Sequence, residues 1–340
     1  MKEKILRITL KSAVMGALLA SSSLAASSGI ASAHDKIKVV SSFSILSDFV
    51  QRVGGDHVDL VTIVGVDGDA HVYEPKPDDA KAMAAAQLVV VNGLGFEGWL
   101  DRLVDSSGYE GPLVKASDGI EPQKMDEGHG DAHADGAKKD THDHGHDHAE
   151  GEKKAEHDHG HDHGEFDPHA WQSAANAQVY VKNIADALCS IEKSKCFEFK
   201  ANAEGYTKEL ATLHGSIKKA IDALPEDRRT VIMSHDAFGY FSHAYGVRFL
   251  SPEGVSTESE ASAKDVARLI EQIREDKAVA LFVENISDPR LIEQISRETG
   301  LKIGGALYSD ALSAKDGPAP SYIEMMQYNT RLLTEAMTGS

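Results

Sequence analysis

The sequence predicts an α/β protein of two parallel-sheet lobes joined by one long rigid helix. Three observations carry the architecture. Short β-branched runs alternate with amphipathic stretches over residues 36–116, the same alternation resumes over 230–337, and between them residues 197–224 form one helical stretch interrupted by little except Gly205 and Gly215. Strands separated by helix-length segments connect as right-handed βαβ units, and such units build parallel sheets. At ~1.5 Å per residue the helical stretch makes a rod of about 40 Å, long enough to link two lobes stiffly.

In chain order, residues 1–33 carry Lys2, Lys4, Arg7 and Lys11, then a small and apolar run, then Ala31-Ser32-Ala33. This is the pattern of a secretory signal peptide, with cleavage expected after Ala33 and the periplasm as destination. No cysteine lies near that point, so no membrane anchor is expected, and no second run is long and apolar enough to span a bilayer.

The first lobe is expected over 34–190, with strands at 38–42, 58–64, 88–92 and 113–116. Helices are expected at 44–54, 77–86, 96–106 and 173–188. Within this lobe, residues 125–165 are rich in Gly, Asp, Glu, Lys and His and show no hydrophobic periodicity. They offer too little apolar surface to fold alone and read as a disordered inserted loop. The connecting segment is 191–226. The second lobe, 227–340, has strands at 230–233, 247–250, 278–283 and 302–306 and helices at 237–245, 262–276, 288–300 and 321–337, with Ser262 as a helix cap and Gly300 as a stop.

Charge narrows the function. The formal net charge is −19, and without residues 1–33 it is −22, since that segment holds four basic residues and one acid. Nucleic acid and anionic lipid are poor partners for such a surface, and cations are good ones. The only cysteines, Cys189 and Cys196, have six residues between them. That spacing matches no zinc pair, and in an exported protein it predicts a local disulfide across the turn between two helices.

Histidine is the informative residue type. Ten of the seventeen lie in the inserted loop, at His129, His133, His142, His144, His146, His148, His157, His159, His161 and His163. Neutral imidazole is a common ligand for borderline metals, and this density without a fold to fix geometry predicts weak, auxiliary metal binding. Outside the loop, His71 follows the second strand, His169 lies just beyond the inserted loop in Asp-Pro-His-Ala-Trp, His235 follows the strand ending Met233-Ser234, and Asp310 follows the last strand. All four sit at carboxyl ends of parallel strands, where open α/β sheets bind ligands, and each lobe supplies two. His34, His57, His214 and His243 have no such context and read as structural or exposed, and Tyr73 and Trp171 as packing groups.

Segments 68–77, 167–172, 234–246, 262–300 and 307–312 resemble the cluster A-I metal-binding proteins of ABC importers, in the expected order and over essentially the whole chain after residue 33. The resemblance implies two lobes, a rigid connecting helix, a cleft metal site, and delivery of metal to an ABC permease and its ATPase; a monomer that is not itself membrane-anchored is expected. It carries the four metal ligands onto His71, His169, His235 and Asp310. One departure is Ala70, where proline commonly precedes the first ligand. Manganese members generally have a carboxylate at the position of His235, and a charged His-rich loop is a feature of zinc members. Three imidazoles and one carboxylate suit tetrahedral Zn2+ better than Mn2+, the second choice. The rival readings are a manganese or iron binder, a periplasmic metal buffer, and a zinc hydrolase. Against the hydrolase, Asp310 fills the position an attacking water would need, and neither a His-Glu-x-x-His helix nor a Gly-x-Ser-x-Gly elbow is present.

Overall fold

The computed structural model describes residues 36–124, 166–259 and 261–339. The expected signal peptide and the whole inserted loop at 125–165, including its ten histidines, lie outside the described residues.

In the first lobe, β1 (Ile37–Phe43) leads into α1 (Ser44–Gly54), and β2 (Val58–Val64) is followed by a long loop and α2 (Pro77–Ala84). Then come β3 (Leu88–Val91), α3 (Leu100–Ser107) and β4 (Leu113–Lys115). The strands form one parallel sheet in the order β2-β1-β3-β4. Two helices follow, α4 (Ala174–Ile191) and α5 (Cys196–Asp222). The second lobe comprises β5 (Thr230–Ile232), α6 (Gly239–Tyr245), β6 (Arg248–Leu250), α7 (Ala263–Glu275), β7 (Ala280–Glu284), α8 (Arg290–Thr299) and β8 (Ile303–Leu307), and α9 (Tyr322–Thr338) closes the chain. Its strands are parallel in the order β6-β5-β7-β8, the same order as in the first lobe.

Side-chain alternation explains where each core sits. Val231 and Phe282 face inward and join a continuous core with β1, β3, α1, α4, α5 and α9, while Ile232 and Leu281 face outward beneath α7 and α8. The interior therefore runs from one lobe to the other without a wet seam, and only the outer layer of the second lobe is separate. Along α5, Phe199, Ala203, Tyr206, Leu210, Leu213, Ile217 and Ile221 are buried at steps of three and four, which gives one apolar stripe. Gly205 and Gly215 fall on its solvent face. α9 packs on β8 and also on α1 and α5, so the chain joins the two lobes twice. At the turn between α4 and α5, Cys189 and Cys196 are disulfide-bonded with Cα atoms 4.5 Å apart.

Three helix starts lie two or more residues beyond expectation, α8 at Arg290 rather than 288 being the first. α3 begins at Leu100 rather than 96, because Gly93, Leu94 and Gly95 all take positive φ and turn the chain. That turn sends Phe96 and Glu97 into the interior, where both are buried. α6 begins at Gly239 rather than 237, the intervening residues being held by a short turn in which Ala237 N–H donates to His235 O. The cap at Ser262 is present, its hydroxyl accepting the Asp265 N–H.

Candidate metal centre

Each of the four candidate side chains leaves a strand end and is fixed by a different neighbour. His71 rides on the loop after β2. Its N–H donates to Asp69 Oδ1 at 2.9 Å, Trp99 Nε1–H donates to the preceding Ala70 carbonyl at 2.8 Å, and the Phe96 ring meets its imidazole edge-on at 4.7 Å. His169 lies beyond β4, in a turn whose Pro168 carbonyl accepts from Asn92 Nδ2 at 2.9 Å. Asp167 Oδ1 contacts both the N–H and the ring Nδ1 of His169, each at 2.8 Å.

His235 follows β5. Glu284, the last residue of β7, accepts the Ser234 and His235 N–H groups through Oε1 at 3.0 and 3.1 Å and sets Oε2 2.7 Å from His235 Nδ1. Asp310 follows β8, and the carbonyl of its neighbour Ser309 is gripped by Trp171 Nε1 at 2.9 Å and Gln172 Nε2 at 2.7 Å. The first lobe thus anchors a ligand that the second lobe's sequence supplies.

The four donors converge. One ligand atom from each of His71, His169, His235 and Asp310 lies within 4.8 Å of every other, and all four residues are buried. Asp310 Oδ2 is 3.2 Å from both His71 Nε2 and His235 Nε2, Asp310 Oδ1 is 3.6 Å from His169 Nε2, and the His71 and His169 Nε2 atoms are 3.2 Å apart. A tetrahedron with metal–ligand bonds of ~2.0–2.1 Å has edges of roughly 3.3 Å, so these separations suit one small ion. A carboxylate at Nδ1 calls for a proton there, which leaves the Nε2 lone pairs of His169 and His235 aimed at the centre. Both Asp310 oxygens and both His235 ring nitrogens are buried without a hydrogen bond of good geometry, as is Glu284 Oε2, which approaches His235 Nδ1 at 2.7 Å as a close charge partner. Such orphaned polar atoms are costly unless something cationic meets them.

Electrostatics point the same way. Burial opposes charge on Asp310, but His169 and His235 outweigh it and hold the carboxyl well below its ordinary range. Burial also opposes a proton on His235, yet Glu284 and Asp310 together raise it well above the usual histidine value. For His71 burial prevails and the pKa is lowered, despite Asp310. The pocket is built to hold positive charge.

The sequence reading did not identify Asp167, Glu284 or Asp69 as partners of the ligands. Asp167 sits two residues before His169, and Glu284 is a carboxylate closing the otherwise apolar strand Ala-Leu-Phe-Val-Glu, a signal that was available. Among the other described histidines, His57 meets Glu198 at 2.6 Å and His214 meets Tyr245 at 3.2 Å.

A family model described as zinc-uptake complex component A, periplasmic, matches residues 39–336. The manganese-binding lipoprotein MntA of Halalkalibacterium halodurans is 29% identical over 313 residues, 92% of this chain and 92% of its own. The iron ABC transporter substrate-binding lipoprotein MtsA of Streptococcus pyogenes is 30% identical over 309 residues, 89% of each chain. Among solved structures, the periplasmic zinc binding protein TroA from Treponema pallidum aligns with a TM-score of 0.75 at 26% identity, covering 89% of this chain and 99% of TroA.

Proposed function

The chain belongs to the ZnuA family of periplasmic zinc-uptake components, which are substrate-binding proteins of ABC transporters and not enzymes, and from that premise we propose that it captures Zn2+ in the periplasm and delivers it to an ABC permease and its ATPase. His71, His169, His235 and Asp310 hold the ion. The observation that carries this reading is the buried convergence of three imidazoles on one carboxylate, each imidazole Nε2 standing 3.2–3.6 Å from an Asp310 oxygen and one donor from each residue within 4.8 Å of every other. A four-donor, nitrogen-rich set favours zinc over the oxygen-rich, six-coordinate preference of manganese. Residues 34–190 and 227–340 act as the two lobes, 191–226 connects them, and the working form is a monomer released by cleavage after Ala33.

A second reading, a manganese or iron carrier, is favoured by the names of the relatives MntA and MtsA. Competition binding with both metals present separates the two, and tighter Mn2+ or Fe2+ than Zn2+ would reverse the choice. In the same reading the loop at 125–165 gathers several ions weakly. Deleting 128–164 then lowers the metal stoichiometry and leaves one tight site; loss of the tight site as well contradicts the division of labour.

A further inference from the structure

The segment between β6 and α7 forms no helix or strand over 251–259, yet it is hydrogen-bonded to residues that flank two candidate ligands. Near its start, Glu253 N–H donates to Ser234 O at 3.4 Å and Gly254 O accepts from Asp236 N–H at 3.0 Å, so the strap is stitched to the backbone on either side of His235. Three residues further on, Thr257 Oγ1–H donates across the cleft to Asp69 Oδ2 at 2.6 Å. The other oxygen of that carboxylate accepts the His71 N–H at 2.9 Å.

Glu258 reaches the first lobe at the same place, its Oε1 lying 3.6 Å from where a Cβ on Gly98 would stand. Gly98 adjoins Trp99, which holds the Ala70 carbonyl beside His71. A second cross-lobe bond, Asn285 Nδ2 to Asp67 Oδ1 at 3.0 Å, attaches earlier in the loop and does not touch the ligand's own peptide.

We propose that this strap couples the placement of His71 to that of His235, and that Thr257 is a positioning residue which, through Asp69, sets how readily His71 leaves a bound ion. The proposal rests on reading the four-residue cluster as the metal site. Asp69 and Thr257 are half-buried, so the bond is shielded from water without being sealed in the core. A hydroxyl bonded to a carboxylate is among the stronger hydrogen bonds, and its loss frees the loop while leaving every ligand in place.

Thr257→Val removes the hydroxyl at nearly constant shape, and Thr257→Ser keeps it. Zinc release from each loaded protein to an excess of chelator is followed by stopped flow, and hydrogen exchange of the His71 amide is measured in the metal-free proteins. Thr257→Val should release zinc roughly tenfold faster, with its X-ray absorption signature unchanged and the His71 amide less protected, and Thr257→Ser should restore both. Wild-type release and wild-type exchange in Thr257→Val would overturn the proposal, as would equal acceleration in Thr257→Ser. A wild-type chain that takes up no transition metal overturns the function reading instead, and the exchange arm then decides the strap alone.

Discussion

Glu97 and Glu284 occupy comparable places in the two lobes, and they do different things. The two sheets share one strand order; Glu284 closes the third strand of its sheet and Glu97 lies in the turn beyond the third strand of the other, each is buried, and each accepts two backbone N–H groups that follow a strand. Glu284 has an oxygen left over for the ring of His235. Glu97 spends its remaining capacity on Ser42 Oγ at 2.6 Å, and burial pushes its pKa up against those bonds. The cause lies one strand away. Glu284 takes its N–H groups from just past the neighbouring β5, at the candidate ligand His235 itself, whereas Glu97 takes its own from Asn92 and Gly93 just past β3, where the chain turns without presenting a candidate ligand. Two lobes of one topology are thus loaded unequally.

The sharpest way to break this comparison is to remove a ligand outright. If a total of about 10–16 kcal/mol is shared among four donors, Asp310→Ala should weaken zinc binding roughly a hundred- to a thousandfold, as read by competition with a chelator. Next comes the pair of carboxylates. Glu284→Gln should cost roughly 10- to 100-fold in affinity, while Glu97→Gln should leave affinity within about twofold and instead lower stability by about 1–3 kcal/mol in denaturant unfolding, through an unmatched buried amide. Equal losses of affinity in the two variants would erase the distinction drawn here.

Acidification tests the same asymmetry. The metal needs neutral imidazole, and Glu284 and Asp310 hold the proton on His235 to above the usual histidine range. Binding must displace that proton wherever pH lies below the raised pKa, so affinity falls as pH falls, by roughly tenfold per unit for each proton displaced. Calorimetry in buffers of different ionisation enthalpy should show the proton released. In Glu284→Gln the release should diminish near neutrality, because one of the two supports for the raised pKa is gone. The smallest expected effect is a control remote from the cleft. A Cβ at Gly205 meets no atom within 4 Å, so Gly205→Ala should stabilise α5 by about 0.5–1 kcal/mol without changing metal binding.

Much of the fold was legible because periodicity is local. The β-branched runs and the stripe along α5 announce their elements from neighbouring residues. The start of α3 was misjudged because the apolar spacing of Phe96, Leu100 and Leu103 continues a helical pattern that the positive φ of Gly93, Leu94 and Gly95 overrides. The four candidate ligands could be picked out because each follows a strand, and the structure brings them together. Their supports were harder to find. Glu284 is marked only by closing an otherwise apolar strand, which does not tell which histidine it serves, and Thr257 meets Asp69 across 188 residues of chain, a pairing that only the folded lobes create.

The double joining of the lobes, through α5 and again through α9, has a consequence for how an ion gets out. A body fastened at two places over a continuous core resists the wide hinge motion by which a singly linked pair of domains opens. An ion held by the candidate cluster is then expected to leave by substitution, one imidazole at a time, each departing donor replaced by an incoming one from the acceptor. Release by that route is an associative exchange whose rate climbs with acceptor concentration, rather than levelling off at the frequency of an opening door.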